Sequence, residues 1–220
     1  MTKCALVTGG SRGIGKATAD ALRALGWNVI MPTRAELDLS SLPSVDHFLV
    51  GVLSEKNKVD ALIYCAGTWY SEILNDQWIG YYDEQYQLSV KSLWWIMAKM
   101  LQRGLIADSV LAVASTRGLI GGVDTGPYSC AKAAQIALMQ GYAREYPGVR
   151  FNCICPGLTD TALGRRVIAT GGAKPDAVPQ SPESVAAVIV GLVTDGVSNG
   201  RVVQIVDSIA TDYEWHPKGE

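Results

Sequence analysis

A short apolar run, residues 3–8, leads straight into Thr8-Gly-Gly-Ser-Arg-Gly-Ile-Gly15, and a helical pattern follows. No other stretch limits the possible folds as much. Six residues bounded by turn formers read as a buried strand. Ile14, Ala17, Ala21, Leu22 and Leu25 share one face of a helix that Gly26 ends. Between a strand and a helix, glycines have a specific use. Backbone N–H groups and the positive end of the helix dipole face an anion, and missing side chains let the backbone approach it. Gly9, Ser11, Arg12, Gly13, Ile14 and Gly15 are therefore the expected contacts to a phosphate-bearing ligand. The plain alternative is a flexible turn, which needs neither the strand before it nor the helix after it.

Strand and helix patterns alternate along the rest of the chain. Strands are predicted at 29–31, 61–64, 110–114, 150–155 and 202–206. Helices are predicted from about 43, through Val45, Phe48, Leu49 and Val52; over 83–102; and from Tyr128 to about Tyr146. Ser181-Pro182-Glu183 has the form of a helix start, with Ser181 as N-cap. Only Ala35, Glu36 and Leu37 separate Arg34 from Asp38, whereas a helical crossover needs about ten residues or more. The helix between the second and third strands is thus missing, and 36–39 is at most a stub of edge strand. Residues 158–180 lack periodicity and read as a mobile lid over a substrate. The tail 211–220 is polar apart from Tyr213 and Trp215 and reads as loosely held. The expected fold class is α/β: a single domain over 1–210, with a doubly wound parallel sheet and helices on both faces. Its binding crevice lies at the carboxyl ends of the strands.

The totals exclude several functions. Of 220 residues, 48% are hydrophobic and 18% charged, which suits one well-cored domain. The net charge of -2, without a basic block, argues against a nucleic-acid partner. The longest apolar runs, such as 185–193, are too short to span a bilayer, and the N-terminus has no secretory pattern, so no membrane partner is expected. Five scattered cysteines without C-x-x-C suit a reducing, cytoplasmic setting. Cys153 and Cys155 would share one face of a strand, but with only His47 and His216 in the chain no metal site is expected.

The second strand ends in Pro32-Thr33-Arg34. In dinucleotide folds an acid near this point accepts hydrogen bonds from the adenosine ribose. Thr33 stands there instead, with Arg34 next to it and Arg12 in the glycine loop. Two guanidiniums and no carboxylate suit a 2′-phosphate, hence NADP (NADPH) rather than NAD; the alternative is that the arginines point into solvent. Cys65-Ala66-Gly67 ends the next strand with small residues that let a nucleoside lie close. Trp69, Tyr70, Trp78, Tyr81, Tyr82 and Tyr86 form an aromatic segment, read as core, interface or substrate wall.

Tyr128 and Lys132 are four apart, so on a helix both leave the same face; Ser115 lies thirteen residues upstream. A tyrosine ordinarily titrates near pH ~10, so proton exchange near neutrality needs about 4 kcal/mol of help from nearby positive charge.

Taken together these residues resemble the short-chain dehydrogenase/reductase family, with its Rossmann-like fold, from about Lys3 to Asp207. The loop at Thr8–Gly15, the Ser115/Tyr128 spacing, Tyr128-x-x-x-Lys132, and Pro156-Gly157 with Thr159 and Thr161 fall in family order. The resemblance implies that Tyr128 exchanges the proton, Ser115 holds the substrate oxygen, and Lys132 binds the nicotinamide ribose and lowers the Tyr128 pKa. It implies that Pro156, Gly157, Thr159 and Thr161 face the nicotinamide, with Asp38 and Leu39 beside the adenine. Two departures stand out besides the missing helix. The usual Asn-Asn-Ala-Gly is Tyr64-Cys65-Ala66-Gly67, and the catalytic Asn is replaced by Ser89. The expectation is an NADP-dependent oxidoreductase of a carbonyl or alcohol substrate. Family members commonly pair as homodimers or homotetramers through helices corresponding to 83–102 and 128–146. A dinucleotide-binding sensor or scaffold is the alternative. A nucleotide-sugar epimerase is a third, although only about sixty residues follow Gly157.

Overall fold

The computed structural model describes residues 2–52, 58–69, 79–123, 125–174 and 176–214. Tyr70, Trp78 and Trp215 lie outside them. In chain order the elements are β1 (Cys4–Thr8), α1 (Gly13–Ala24), β2 (Asn28–Ile30), α2 (Leu42–Val52), β3 (Val59–Tyr64), α3 (Ile79–Tyr86) and a π turn (Gln87–Lys91). Then come α4 (Ser92–Gln102), β4 (Ile106–Val113), α5 (Thr116–Leu119), α6 (Gly126–Glu145), β5 (Arg150–Pro156), α7 (Ala162–Ala169), α8 (Pro182–Thr194), β6 (Val202–Val206) and β7 (Ile209–Asp212).

The strands form one sheet in the order β2-β1-β3-β4-β5-β6-β7, parallel except for β7. Alternate residues of each strand face opposite sides, so the sheet has two cores. Leu6, Leu62, Val110, Phe151, Cys153 and Cys155 meet α2, α4 and α6 through Phe48, Leu93, Ile96 and Ile136. Ala5, Val7, Ile63, Leu111 and Ile154 meet α1 and α8 through Leu22, Val185 and Ile189. The doubly wound arrangement follows from those apolar strands. Cys153 and Cys155 share a face, as their spacing requires.

Gly26, at φ 81°, turns the chain after α1, and Ser181 caps α8 by accepting a hydrogen bond from Ser184 N–H at 3.1 Å. Leu25, expected on the apolar face of α1, is exposed because it falls at the helix end.

Four expectations need correction. The helix expected over 83–102 starts at Ile79 and is interrupted by the π turn, an insertion that apolar spacing does not reveal. Residues 36–39 form no strand, so β2 is the edge. Within 158–180, Ala162–Ala169 is helical: Thr161 caps α7 by accepting from Gly164 N–H at 3.0 Å. The polar tail begins in the sheet, since Thr211 and Asp212 pair with Gln204 and Val203, and Arg201 grips Asp212 at 2.8 Å.

Candidate active site

The crevice is assembled where β1, β3, β4 and β5 end. Gly9 (φ 66°) lies so close to the turn after β3 that an added Cβ would stand 2.9 Å from Ala66 Cα and N. Gly13 (φ 56°) meets Thr161, whose Cγ2 would be 3.0 Å from such a Cβ, and Gly15 packs on the Gly9 carbonyl. Side chains at these glycines would fill the cradle. The amino ends of α1 and α7 converge there, with Ser11 and Arg12 exposed at its mouth. Cys65, Ala66 and Gly67 provide close backbone, with Cys65 N–H bonded to the Thr8 carbonyl at 3.2 Å. A strand end, tight glycines and two helix amino ends can hold a diphosphate.

The adenosine end differs from the sequence reading. Thr33 donates hydrogen bonds from its backbone N–H and its hydroxyl to the Glu36 carboxylate, at 2.8 and 2.9 Å. These bonds hold the Glu36 carboxyl below its usual pKa. A carboxylate therefore does stand beside Thr33, supplied three residues later by the short turn that replaces the missing helix. Thr33-x-x-Glu36 is a capping-box spacing, the sequence signal for this contact. Arg34 is 84% exposed and 3.8 Å from Asp38. Leu39 is buried in the core, and its carbonyl accepts hydrogen bonds from Ser92 and Gln87.

At the catalytic end Ser115 caps α5, its hydroxyl accepting from Arg117 N–H at 3.1 Å. Gly118 lets α5 lie against α6: an added Cβ would be 2.7 Å from the Lys132 carbonyl carbon. On that packing Ser115 stands near enough to Tyr128 to act on its phenol. Burial raises the Tyr128 pKa, opposed by the Ser115 hydrogen bond and by the Arg117 guanidinium. The Arg117 guanidinium thus acts on the phenol, a role that depends on loop geometry and has no sequence signal. Lys132 Nζ lies 5.8 Å from the centre of the Tyr128 ring. It donates to the Val113 carbonyl at 2.9 Å and to Gln135 Oε1 at 3.0 Å. Lys132 is 3% exposed, and burial pushes its pKa down to about 8. Cys65 lies near enough for the Lys132 charge to act on its thiol, which burial nonetheless pushes up to about 12. Ser89 sits in the π turn, fully buried, its hydroxyl without a partner among the described residues.

Pro156 ends β5. Gly157 N–H bonds the Ile205 carbonyl at 2.7 Å, and the Thr159 hydroxyl donates to the Gly157 carbonyl at 3.0 Å. Gln180 closes this segment: its amide donates to the Ile205 carbonyl at 3.1 Å and accepts from Ser208 N–H at 2.9 Å. The stretch expected to act as a lid is thus tied to the sheet at both ends. Trp69 is buried, and its carbonyl accepts from Arg166 of α7. Among the described residues, no cluster of His, Cys, Asp and Glu could hold a metal, and no helix is long and apolar enough to cross a membrane.

Comparison with known proteins agrees with this fold. Residues 33–171 match the short chain dehydrogenase family model. An uncharacterised oxidoreductase of Bacillus subtilis, YmfI, is 29% identical over 74% of this chain and 77% of its own. The 3-oxoacyl-[acyl-carrier-protein] reductase of Salmonella typhimurium is 27% identical over 74% and 76%. Among solved structures, ElxO with NADP bound superposes with a TM-score of 0.80 at 21% identity, covering 93% of this chain and 97% of its own. A 3-ketoacyl-(acyl-carrier-protein) reductase from Brucella melitensis complexed with NADH gives 0.82 at 19% identity, covering 92% and 96%.

Proposed function

The chain belongs to the short-chain dehydrogenase family of NAD(P)-dependent oxidoreductases, and on that premise we propose that it interconverts a carbonyl and an alcohol with Tyr128 as general acid/base. The observation that carries this reading is the Ser115 side chain near enough to act on the Tyr128 phenol, with the Lys132 ammonium behind its ring. The bound nicotinamide supplies the hydride in reduction and accepts it in oxidation. Ser115 orients the substrate oxygen. Tyr128 gives that oxygen its proton in reduction and takes it back in oxidation, while Lys132 and Arg117 favour the phenolate. Gly9, Ser11, Gly13, Ile14 and Gly15 would hold the diphosphate of a bound dinucleotide; Cys65, Ala66, Gly67, the segment from Pro156 to Thr161, and Lys132 would hold its nucleosides.

NADP is the cofactor in this reading. Arg34, exposed after β2, supports it; Arg12 lines a surface pocket with Asp160, Thr161 and Arg165, and Glu36 opposes it. Fluorescence titration with NADPH and NADH in parallel tests the preference; equal affinities overturn it. The 3-oxoacyl reductase relative makes acetoacetyl-CoA the first substrate probe. Tyr128→Phe is expected to abolish turnover and keep NADPH binding; turnover at the wild-type rate overturns the mechanism.

A catalytically weak dinucleotide-binding sensor is the second reading, favoured by Ser89 in place of the expected Asn. NADPH binding without turnover of a broad carbonyl panel would support it. Self-association completes the leading proposal: Tyr82, Tyr86 and Trp94 are each about two-fifths exposed on α3 and α4, and form an apolar face for a second copy. Sedimentation of the purified chain tests this, a monomer being the contrary result.

A further inference from the structure

Lys132 and Gln135 lie three apart on α6 and so share a face. Gln135 is fully buried. Its Oε1 accepts from Lys132 Nζ at 3.0 Å, and its Nε2 has no partner among the described residues. A buried amide in this state costs about 1–3 kcal/mol, a cost that a leucine of similar size would avoid. Gln85 and Ser89 are also buried, on α3 and the π turn that pack against α6, and among the described residues neither side chain has a hydrogen-bond partner. Buried polar groups thus lie on α6, which carries Lys132, and on the elements packed against it.

The setting of that lysine explains what Gln135 does. Cys65 after β3, Cys153 and Cys155 on β5, and Tyr128 on α6 are the titratable groups that face it. Burial raises the pKa of the Cys65 and Cys153 thiols and of the Tyr128 phenol, so these three are neutral near neutral pH. β4 brings the Val113 carbonyl. Among the described residues, the ammonium is hydrogen-bonded to two neutral oxygens, the Val113 carbonyl and the Gln135 amide.

We propose that Gln135 is a positioning residue: it holds the Lys132 ammonium behind Tyr128 and keeps it charged during turnover. The inference rests on the proposed Tyr128–Lys132 chemistry and extends it to a residue that touches neither substrate nor cofactor. With one of two acceptors gone, the buried ammonium gives up its proton at lower pH and ceases to favour the Tyr128 phenolate. A carboxylate in the same place has the opposite effect.

Two measurements on Gln135→Leu, Gln135→Met and Gln135→Glu test it. The first is carbon-13 NMR titration of the lysine side chains in the cofactor-free protein, with the Lys132 signal assigned by its absence in Lys132→Met. The second is the pH profile of kcat/KM for acetoacetyl-CoA reduction. The expected result is a Lys132 midpoint about one pH unit lower in the Leu and Met variants and about one unit higher in the Glu variant. The alkaline limb of the profile moves with it. Midpoints that stay within about 0.3 units in all variants overturn the role of Gln135 and leave the Tyr128–Lys132 chemistry standing. Opposite NMR shifts with a stationary alkaline limb overturn that chemistry, and the role in turnover with it.

Discussion

The Glu36 carboxylate accepts two hydrogen bonds from Thr33, at 2.8 Å from the backbone N–H and 2.9 Å from the hydroxyl. Both donors stand at the end of β2, where the adenosine ribose of a dinucleotide comes to rest in this fold. A fixed negative charge here opposes a 2′-phosphate and engages donors that the phosphate could use. Glu36→Gln is therefore expected to strengthen NADPH binding roughly tenfold while changing NADH less than about threefold. Parallel fluorescence titrations check this. A fall in NADH affinity, with NADPH unchanged, would mean that Glu36 serves as the ribose acceptor.

Lys132 provides a test through pH. Its pKa lies at about 8, below the value near 10.5 for a free lysine, because burial disfavours the charge. The folded chain thus binds fewer protons than the unfolded chain between those two values, and stability from this group rises with pH across that window. Lys132→Met removes the buried ammonium. It is expected to abolish turnover and to raise stability at pH ~7 by up to ~3 kcal/mol, less whatever is lost by leaving Val113 O and Gln135 Oε1 without their donor. The gain shrinks as pH approaches ~10. Urea unfolding at several pH values checks it, and a stability difference independent of pH would contradict the assignment.

The parts legible in the sequence are those where local pattern and tertiary role coincide. Residues 4–8, 59–64 and 150–156 are buried on both faces, so their apolar runs mark central parallel strands without ambiguity. Gly9, Gly13 and Gly15 were readable because close approach excludes any other residue. What escaped depends on contacts distant in sequence. β7 is exposed throughout and holds its place by pairing with β6. The π turn changes no apolar spacing strongly enough to show. Arg117 acts on Tyr128 only because α5 folds its loop over α6. Thr33-x-x-Glu36 and Lys132-x-x-Gln135 carried a local signal, in spacings that bring two side chains together on a turn.

Gly118 is the contact that brings Ser115 to Tyr128. A methyl group there would lie 2.7 Å from the Lys132 carbonyl carbon and 2.9 Å from its Cβ, both rigid parts of α6. α5 must shift to admit it. Gly118→Ala is expected to cost about 1–3 kcal/mol of stability. Displacement of Ser115 by even an ångström would lower kcat by about a hundredfold. NADPH affinity should hold within about threefold, because the glycine loop is on other strands. Steady-state kinetics beside cofactor titration separates these effects; equal losses in both would point to general unfolding.

Arg150 joins three elements at the end of the sheet opposite the crevice. Its guanidinium donates to both Asp108 carboxylate oxygens, at 3.1 and 3.0 Å, and to Asp195 at 3.1 Å. It also donates to the carbonyls of Leu192 and Val193, both at 2.9 Å, and of Ser198 at 3.1 Å. The first two carbonyls belong to the last turn of α8, where intrahelical donors run out. A planar fork suits six acceptors in this layout, and an ammonium does not. With a side chain 11% exposed, the cluster is poorly screened. Arg150→Lys is expected to lose about 1–3 kcal/mol, and Arg150→Met about 3–5 kcal/mol, because the second takes the guanidinium from Asp108 and from the Leu192 and Val193 carbonyls, while Asp195 keeps the N–H groups of Val197 and Ser198. Cofactor affinity should change by less than about twofold in both, since the carboxyl end of β5, not its start, borders the crevice. Urea unfolding paired with NADPH titration checks it. A large loss of affinity with unchanged stability would show that the two ends of β5 are coupled in a way rigid packing does not predict.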